Sequence, residues 1–397
     1  MVEHVEEMQM SILKRFSSLL GLALFVVAHG PLAQAADTPP TGMRSMQVKD
    51  RKETISIFVD DRANALPVSF VGPFVHLRDG GILTVSKDDV QISLDRGATW
   101  SAKRQPATVD GKPYKRGDAA LLRTRDGTLL WTFANESEFV GTGPLTSPEA
   151  AKARMPLYVQ RSVDEGNTWL PPQLVLDGYT GSTRSIIQLR SGRIVAAVPH
   201  VTFERPTRWR SVCVISDDEG KTWQKGQVVD PKFAWPSRPN GDLHDGVRAG
   251  TMAEFADGRL WMLLSYRRQC ETFSTDGGLN WADATDVKSS YTTSQLHTLA
   301  RLKSGRLARL WVELGAERTK ENPQAGARLC LAFTADDGKT WSPTATLVHR
   351  TGISSMKEAG RCVHSAEVFE VAAGELWLTL HRPDVRITIH EQDFVGK

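Results

Sequence analysis

The strongest constraint on this fold is an eight-residue pattern, S/T-x-D-x-G-x-x-W, that occurs five times in the chain. The copies begin at Ser93, Ser162, Ser216, Ser274 and Thr334. Asp and Gly at this spacing suit a hairpin tip, where the carboxylate accepts hydrogen bonds from backbone N–H groups and Gly adopts positive φ. The Trp then packs between sheets. Self-similarity along the chain predicts a repeat architecture rather than two or three unrelated domains.

Each copy is preceded by two further strands that a tight turn connects. Six such pairs occur, and they span residues 74–77 with 81–85, 121–124 with 128–133, 186–189 with 193–198, 252–255 with 260–264, 299–302 with 307–312, and 368–371 with 376–380. Six units of four antiparallel strands predict an all-β, six-bladed β-propeller, in which ring closure protects the sheet edges.

The sixth unit lacks both a repeat and a fourth strand, because the chain ends soon after a third strand at 385–390. We expect the extended segment 54–59 to supply the missing strand, so that an N-terminal strand closes the ring. Residues 147–155, inside the second unit, are predicted to form one short helix.

The repeated pattern resembles the Asp box, or BNR repeat, of bacterial neuraminidases (sialidases), and the resemblance covers nearly all of the chain after the N-terminal segment. An Asp box marks the fold and is not itself a catalytic motif. The resemblance implies three Arg that clamp a substrate carboxylate, a Tyr–Glu nucleophile pair and an Asp acid/base. The family's Arg-Ile-Pro motif is replaced here by Val71-Gly72-Pro73, and Arg116 is the best counterpart of the first clamp Arg.

Strand alternation places the five boxes on one face of the propeller and the loops between second and third strands on the other. The longest of these loops are 134–156, 199–210 and 313–327. Long loops on one face of a fold commonly carry the binding or catalytic residues. We therefore expect the functional site on the face opposite the Asp boxes.

Aligning the six first strands on their turn glycines brings a ring of Arg, His and Asp residues to similar depth near the axis. The predicted substrate-binding residues are Arg116, Arg184, Arg248, Arg361 and His244, and the predicted catalytic residues are Asp118, Glu136, Asp245, His297, His364 and Tyr291. Such a ring needs solvent or partners, which indicates a polar pocket. Because the planar fork of Arg suits carboxylates and sulfates, the ligand is predicted to be an anionic sugar.

Three functions are compatible with these residues. The first is a glycoside hydrolase that removes a sialic acid or a uronate-linked unit from an anionic glycan. The second is a polysaccharide lyase with a His or Tyr base, and the third is a non-catalytic propeller that binds a glycan or protein. A deep pocket that gathers His297, His364, Asp245 and the Arg residues would favour an enzyme, and a plugged axis would favour binding.

The N-terminus resembles an export signal, since Lys14 and Arg15 precede the apolar run 16–28 and small residues surround Ala35. The predicted organisation is a signal peptide at 1–35, a linker at 36–52 and the propeller at 53–397, in a secreted or periplasmic protein. Translation could also begin at Met8 or Met10. No later segment is apolar enough for a membrane span.

The net charge of +3 is too small to indicate nucleic-acid binding. The expected partner is an anionic oligosaccharide or polysaccharide, bound by a monomer without a cofactor or metal. Cys213, Cys270, Cys330 and Cys362 allow up to two disulfides in an oxidising compartment, and their spacing does not suit a zinc site.

Overall fold

The structure is a computed structural model in which residues from position 39 onwards are described, with internal gaps. The described ranges are 39–50, 52–106, 114–141, 148–181, 183, 185–203, 207–231, 246–265, 269–287, 292–314, 326–351, 366–380 and 383–396. The predicted signal peptide therefore lies outside the described residues.

The chain forms the predicted six-bladed β-propeller, with strands numbered along the chain. Blade 1 contains β4 (Phe74–His76), β5 (Ile82–Ser86) and β6 (Asp89–Ser93); blade 2 contains β7 (Arg116–Arg123), β8 (Leu129–Asn135), β9 (Leu157–Ser162) and β10 (Gln173–Leu176); blade 3 contains β11 (Tyr179–Thr180), β12 (Ser185–Gln188), β13 (Ile194–Thr202), β14 (Arg208–Ser216) and β15 (Gln224–Val229).

The other three blades follow the same order of antiparallel strands. Blade 4 contains β16 (Arg248–Glu254), β17 (Leu260–Ser265), β18 (Gln269–Ser274) and β19 (Thr285–Asp286); blade 5 contains β20 (Thr292–Arg301), β21 (Leu307–Leu314), β22 (Gly326–Thr334) and β23 (Ala345–Thr351), beside which lie β2 (Glu53–Asp60) and β1 (Met43–Asp50); blade 6 contains β24 (Glu367–Ala372), β25 (Glu375–Leu380), β26 (Val385–His390) and β3 (Asn64–Ala65). Short 3₁₀ helices span Glu136–Glu138, Pro148–Lys152 and Glu391–Asp393.

The N-terminal strands differ from the prediction. Segment 54–59 lies in β2, which pairs with β1 and, through Phe58 and Val59, with β23 of blade 5. The strand beside β26 is instead β3, whose Ala65 pairs with Ile387. The prediction that 54–59 completes blade 6 is thus wrong. The segment joins the outer edge of blade 5 instead. β1 also lies inside the range predicted to be a linker.

The five Asp boxes share one set of hydrogen bonds. In the first box, the Asp95 carboxylate accepts bonds from the backbone N–H and hydroxyl of Thr99, at 2.8 and 2.5 Å. The Ser93 hydroxyl donates to the same carboxylate and accepts the Gly97 N–H at 2.7 Å. The other four boxes repeat these contacts with their equivalent residues.

The box glycines also bring neighbouring blades into close contact. Gly166 has a φ of +80°, and a Cβ added there would lie 2.4 Å from Cδ1 of Leu83 in blade 1. A Cβ at Gly220 would lie 2.7 Å from Leu130 in blade 2. The glycine is therefore required both for its backbone conformation and for the space that it leaves to the preceding blade.

Apolar side chains fill the spaces between blades, and the first strands surround a narrow central channel of about 160 Å³. The channel is lined by residues from β4, β7, β12, β16, β20 and β24. Side-chain bonds connect these strands: the Thr251 hydroxyl accepts the Leu299 N–H at 2.9 Å, and the Thr298 hydroxyl donates to the Ala366 carbonyl at 2.8 Å.

Two of the four cysteines are buried free thiols in the propeller core. Burial raises the pKa of both Cys213 and Cys330 to about 12. These two residues do not take part in the disulfides that the sequence allowed, and Cys362 lies outside the described residues. Nowhere in the described ranges does a helix have the length and apolar character needed to cross a membrane.

Candidate functional site

A cavity of about 550 Å³ opens on the face opposite the Asp boxes, where blades 1, 2 and 6 meet. Its walls are the segment that enters β4, the turn between β5 and β6, the start of β7, and residues of β24 and β26. Pro73, Ala119 and Glu367 line both this cavity and the central channel. The cavity is therefore the mouth of the channel.

The cavity is rich in charged side chains of both signs. Its lining includes four cationic and three acidic residues, which are Lys87, Lys115, Arg116, Arg386, Asp88, Glu136 and Glu367. Several of them are paired: Lys115 lies 2.8 Å from the Glu136 carboxylate, and Arg386 lies 2.8 Å from Asp384. The result is a polar pocket that retains charged groups near the axis.

Arg116 lies at the base of this cavity, at the first position of β7. Its side chain is only 3% exposed, its Cζ lies 4.8 and 5.0 Å from the ring centroids of Trp131 and Phe133, and its Nη2 donates to Gln160 at 2.8 Å. Its backbone N–H and Nη1 both donate to Oδ1 of Asp88, at 3.0 and 3.3 Å. Burial lowers the pKa of this Arg, and the contact with Asp88 opposes that shift. Nη1 and Nη2 are thus each directed at a protein group, whereas the buried Nε has no hydrogen-bond partner within the described residues.

Glu136 follows β8 and begins a 3₁₀ turn that Asn135 caps by accepting the Ser137 N–H. The Glu136 backbone N–H donates to the Lys115 carbonyl at 2.8 Å, and the Glu136 side chain is 42% exposed. The hydrogen bond with this carboxylate raises the pKa of the Lys115 ammonium. Glu136 is therefore a half-exposed carboxylate that faces a basic neighbour within the cavity.

His297 lies apart from the cavity. Its imidazole is buried beside Arg309, whose guanidinium donates to Gln269 of blade 4. Burial, and then the charge of Arg309, hold the pKa of His297 well below its ordinary value. The imidazole does not line this cavity, and the catalytic role of His297 stays a prediction, because its predicted neighbours His364 and Asp245 lie outside the described residues.

Of the predicted site residues, the structure brings Arg116 and Glu136 together in one cavity. Asp118 and Arg248 lie on β7 and β16, but their side chains are outside the described part. Six further predicted residues fall entirely outside the described ranges, and these are Arg184, His244, Asp245, Tyr291, Arg361 and His364.

Five residues of the cavity were not predicted from the sequence, and these are Lys87, Asp88, Lys115, Glu367 and Arg386. The long loops were expected to carry the site, whereas Lys87 and Asp88 form a two-residue turn between β5 and β6. Two adjacent charged residues in a turn on the face opposite the boxes were a signal that could have identified them. In the described part of the chain, no group of three or more His, Cys, Asp or Glu side chains is arranged to hold a metal ion.

A tyrosine–carboxylate pair does occur in blade 2, but in a structural setting. The Tyr158 hydroxyl donates to Glu138 at 2.7 Å, and Glu138 also accepts bonds from Asn135 and Arg154. Burial, and then the bond to Glu138, raise the pKa of Tyr158 to about 12. This tyrosine is therefore not activated as a nucleophile.

The family model for the BNR repeat-like domain matches residues 86–368, which is most of the chain. The chain belongs to the BNR repeat-like family. A curated relative of this BNR repeat-like protein is a sialidase of Micromonospora viridifaciens, 25% identical over 362 residues, with 81% of this chain and 52% of the relative covered. The chain thus spans about half the length of that relative.

Solved structures show the same fold at low sequence identity. A protein of unknown function from Dyadobacter fermentans aligns with a TM-score of 0.56 and 17% identity, covering 88% of this chain and 98% of that one. The intramolecular trans-sialidase of Ruminococcus gnavus aligns with a TM-score of 0.52 and 12% identity, covering 85% and 96%. These likenesses concern the six-bladed fold of this BNR repeat-like protein.

Proposed function

We propose that this protein is a secreted or periplasmic glycoside hydrolase of the sialidase-like kind, which releases an anionic sugar, a sialic acid or a uronate, from a glycan. The observation that carries the proposal is the cavity at the channel mouth, where four cationic and three acidic residues surround about 550 Å³. This volume is typical of a small-molecule site. The similarity to a sialidase over most of the chain supports the same reaction class.

The charged residues of the cavity divide into two chemical roles. Hydrolysis of a glycosidic bond needs two groups that flank the bond, usually carboxyl groups, and Asp88, Glu136 and Glu367 supply them. An anionic substrate needs neighbouring cations, which Lys87 and Lys115 supply. The buried Arg116 holds Asp88 rather than a substrate, so its role is to shape the site.

A second function, glycan binding without catalysis, is favoured by one specific observation. Asp88 and Glu136 are both held in ion pairs, with Arg116 and Lys115. If these carboxylates serve only to orient the neighbouring cations, the cations bind an anionic sugar and no carboxylate takes part in hydrolysis. The sugar would then be bound and left intact.

The test is incubation of the purified chain with sialylated, uronate-containing and neutral oligosaccharides, with products identified by mass. We expect release of an anionic sugar, and a loss of roughly 100-fold or more in kcat/KM for Glu136→Gln or Glu367→Gln, which is the usual effect of removing an acid/base group. The matched control is Glu375→Gln, which removes a half-buried carboxylate paired with Arg96 on the boxed face.

The outcomes separate the two functions. Turnover that the pocket variants abolish and the control preserves supports the hydrolase. Binding of anionic glycans without turnover supports the second function, and neither binding nor turnover overturns both. Export is tested separately, by N-terminal sequencing of protein recovered outside the cytoplasm, which should begin near Ala35 if the signal is cleaved.

A further inference from the structure

Strained backbone positions single out one cation of the cavity. Among the residues that the structure describes, five non-glycine residues have positive φ, which side chains with a Cβ rarely adopt. Four of them occupy the same place in Asp boxes, and these are Arg96, Glu165, Glu219 and Asp337. The fifth is Lys87, with a φ of +55°, on the opposite face.

The four box residues all use their side chains inside the protein. Arg96 contacts Glu375 at 2.6 Å, and Glu165 accepts a bond from Arg123 at 3.1 Å. Glu219 accepts a bond from Gln188 at 2.9 Å, and Asp337 accepts one from Arg301 at 2.9 Å. Each strained position therefore places a charged or polar side chain against a partner.

Lys87 has the same strained backbone conformation, but its side chain has no partner among the described residues. Within the described ranges its ammonium makes no hydrogen bond or ion pair, although it lines the cavity and is exposed. The other three described cations of the cavity are paired, with Glu136, Asp88 and Asp384. Positive φ also occurs in two-residue hairpin turns such as this one, and strained residues cluster at active sites and ligand clamps, where the surrounding structure holds them.

The surrounding structure does hold this turn. Asp88 follows Lys87 in the two-residue turn, and its Oδ1 is fixed by the backbone and guanidinium of the buried Arg116. Ser86 and Asp89 pair across the two ends of the turn. The conformation of Lys87 is thereby determined by contacts that do not involve its own side chain.

We propose that Lys87 is the residue that recognises the negative charge of the ligand. This inference rests on the proposed binding of an anionic sugar in the cavity. Lys presents a compact point charge rather than a planar fork, so it recognises charge without imposing the geometry of a carboxylate. Its partner is the carboxylate of a sugar acid.

The experiment compares sugar acids with their neutral methyl esters, using isothermal titration calorimetry so that no turnover is needed. The probes are N-acetylneuraminic acid and glucuronic acid. The variant is Lys87→Gly, which removes the ammonium and tolerates positive φ. The control is Arg96→Gly, which removes a cation from the equivalent strained conformation on the boxed face.

We expect the wild type and Arg96→Gly to bind at least one acid about tenfold more tightly than its ester, the usual scale of a charge-assisted hydrogen bond. Lys87→Gly should bind the acid and ester equally. If Lys87→Gly still prefers the acid, the role of Lys87 is disproved while the proposed hydrolase stands. If the wild type prefers neither acid, both proposals fail.

Discussion

The boxed face and the cavity face of this propeller use charged side chains in different ways. On the boxed face, five nearly identical turns satisfy their Asp carboxylates through neighbours within four residues. Their flanking charges connect adjacent blades, as Arg96 does with Glu375. On the cavity face, the turn at Lys87 and Asp88 is fixed from another blade, and Lys87 is left without a partner in the described structure.

This difference indicates that the charged side chains of the two faces have different roles. The boxed face assembles the ring, since its polar groups are directed at the protein itself. The cavity face is built from contacts between distant parts of the chain and has charged side chains of both signs around the cavity.

The largest effect is expected where the boxed face brings two blades together. Gly97→Ala places a Cβ 2.7 Å from the Trp377 ring and 2.8 Å from Val68, at a φ of +86°. Backbone strain and overpacking together should lower the free energy of unfolding by about 3 kcal/mol. Chemical denaturation followed by tryptophan fluorescence measures the change.

Gly80→Ala is the matched control for this substitution. Gly80 has nearly the same φ, +85°, and no atom within 4 Å of the added Cβ. Its substitution should lower the free energy of unfolding by only about 1 kcal/mol. Equal effects of the two substitutions would show that the box glycine acts through its backbone conformation alone.

The second effect tests the base of the cavity. Arg116→Met removes the guanidinium of a side chain that is 3% exposed, so Asp88 and Gln160 lose their side-chain bonds to residue 116, while the backbone N–H of residue 116 still donates to Asp88. We expect a loss of about 2 kcal/mol, at the low end for a broken buried ion pair because Asp88 is partly exposed. Arg193→Met on the boxed face removes an ion pair with the exposed Asp217 and a bond to the Asp276 carbonyl, and should lower stability by about 1 kcal/mol. Similar losses would contradict a structural role for Arg116.

The same contrast explains what the sequence could predict. All bonds of an Asp box lie within eight residues, so the pattern is visible locally, and together with the six strand pairs it predicts six blades and a functional face opposite the boxes. Arg116 contacts Asp88 and Gln160 at separations of 28 and 44 residues, and no local pattern encodes these contacts. The segment 54–59 was correctly predicted to be extended, but an alternating strand does not specify which blade edge it joins.

The third effect is the response of the boxed face to acid. The Thr99 hydroxyl and backbone N–H and the Ser93 hydroxyl hold the pKa of Asp95 at about 2, and equivalent bonds hold that of Asp336 at about 2. Because these values are below the ordinary 3.8, the stabilisation is complete above about pH 4 and is lost as the pH falls towards 2.

The thermal unfolding midpoint should therefore fall between pH 4 and 2, and less steeply in Asp95→Asn than in the wild type. The double variant Asp95→Asn/Asp336→Asn should respond less again, because the two boxes are separate and their contributions add. A pH response that neither substitution changes would show that the boxes do not contribute to acid unfolding.

The smallest expected effect is a difference in stability between Lys87→Gly and Arg96→Gly, which each replace one strained residue, on the cavity face and on the boxed face respectively. Replacing Lys87 with Gly relieves the strain of a positive φ and removes no internal bond. The free energy gained in this way should slightly exceed the free-energy cost of the extra conformational entropy that Gly gives the unfolded chain. We expect Lys87→Gly to be about 0.5 kcal/mol more stable than the wild type. Arg96→Gly relieves similar strain but loses the contact with Glu375, and should therefore show no such gain. Thermal unfolding of both variants measures the difference, and a destabilised Lys87→Gly would mean that the ammonium has a partner inside the protein and is not reserved for a ligand.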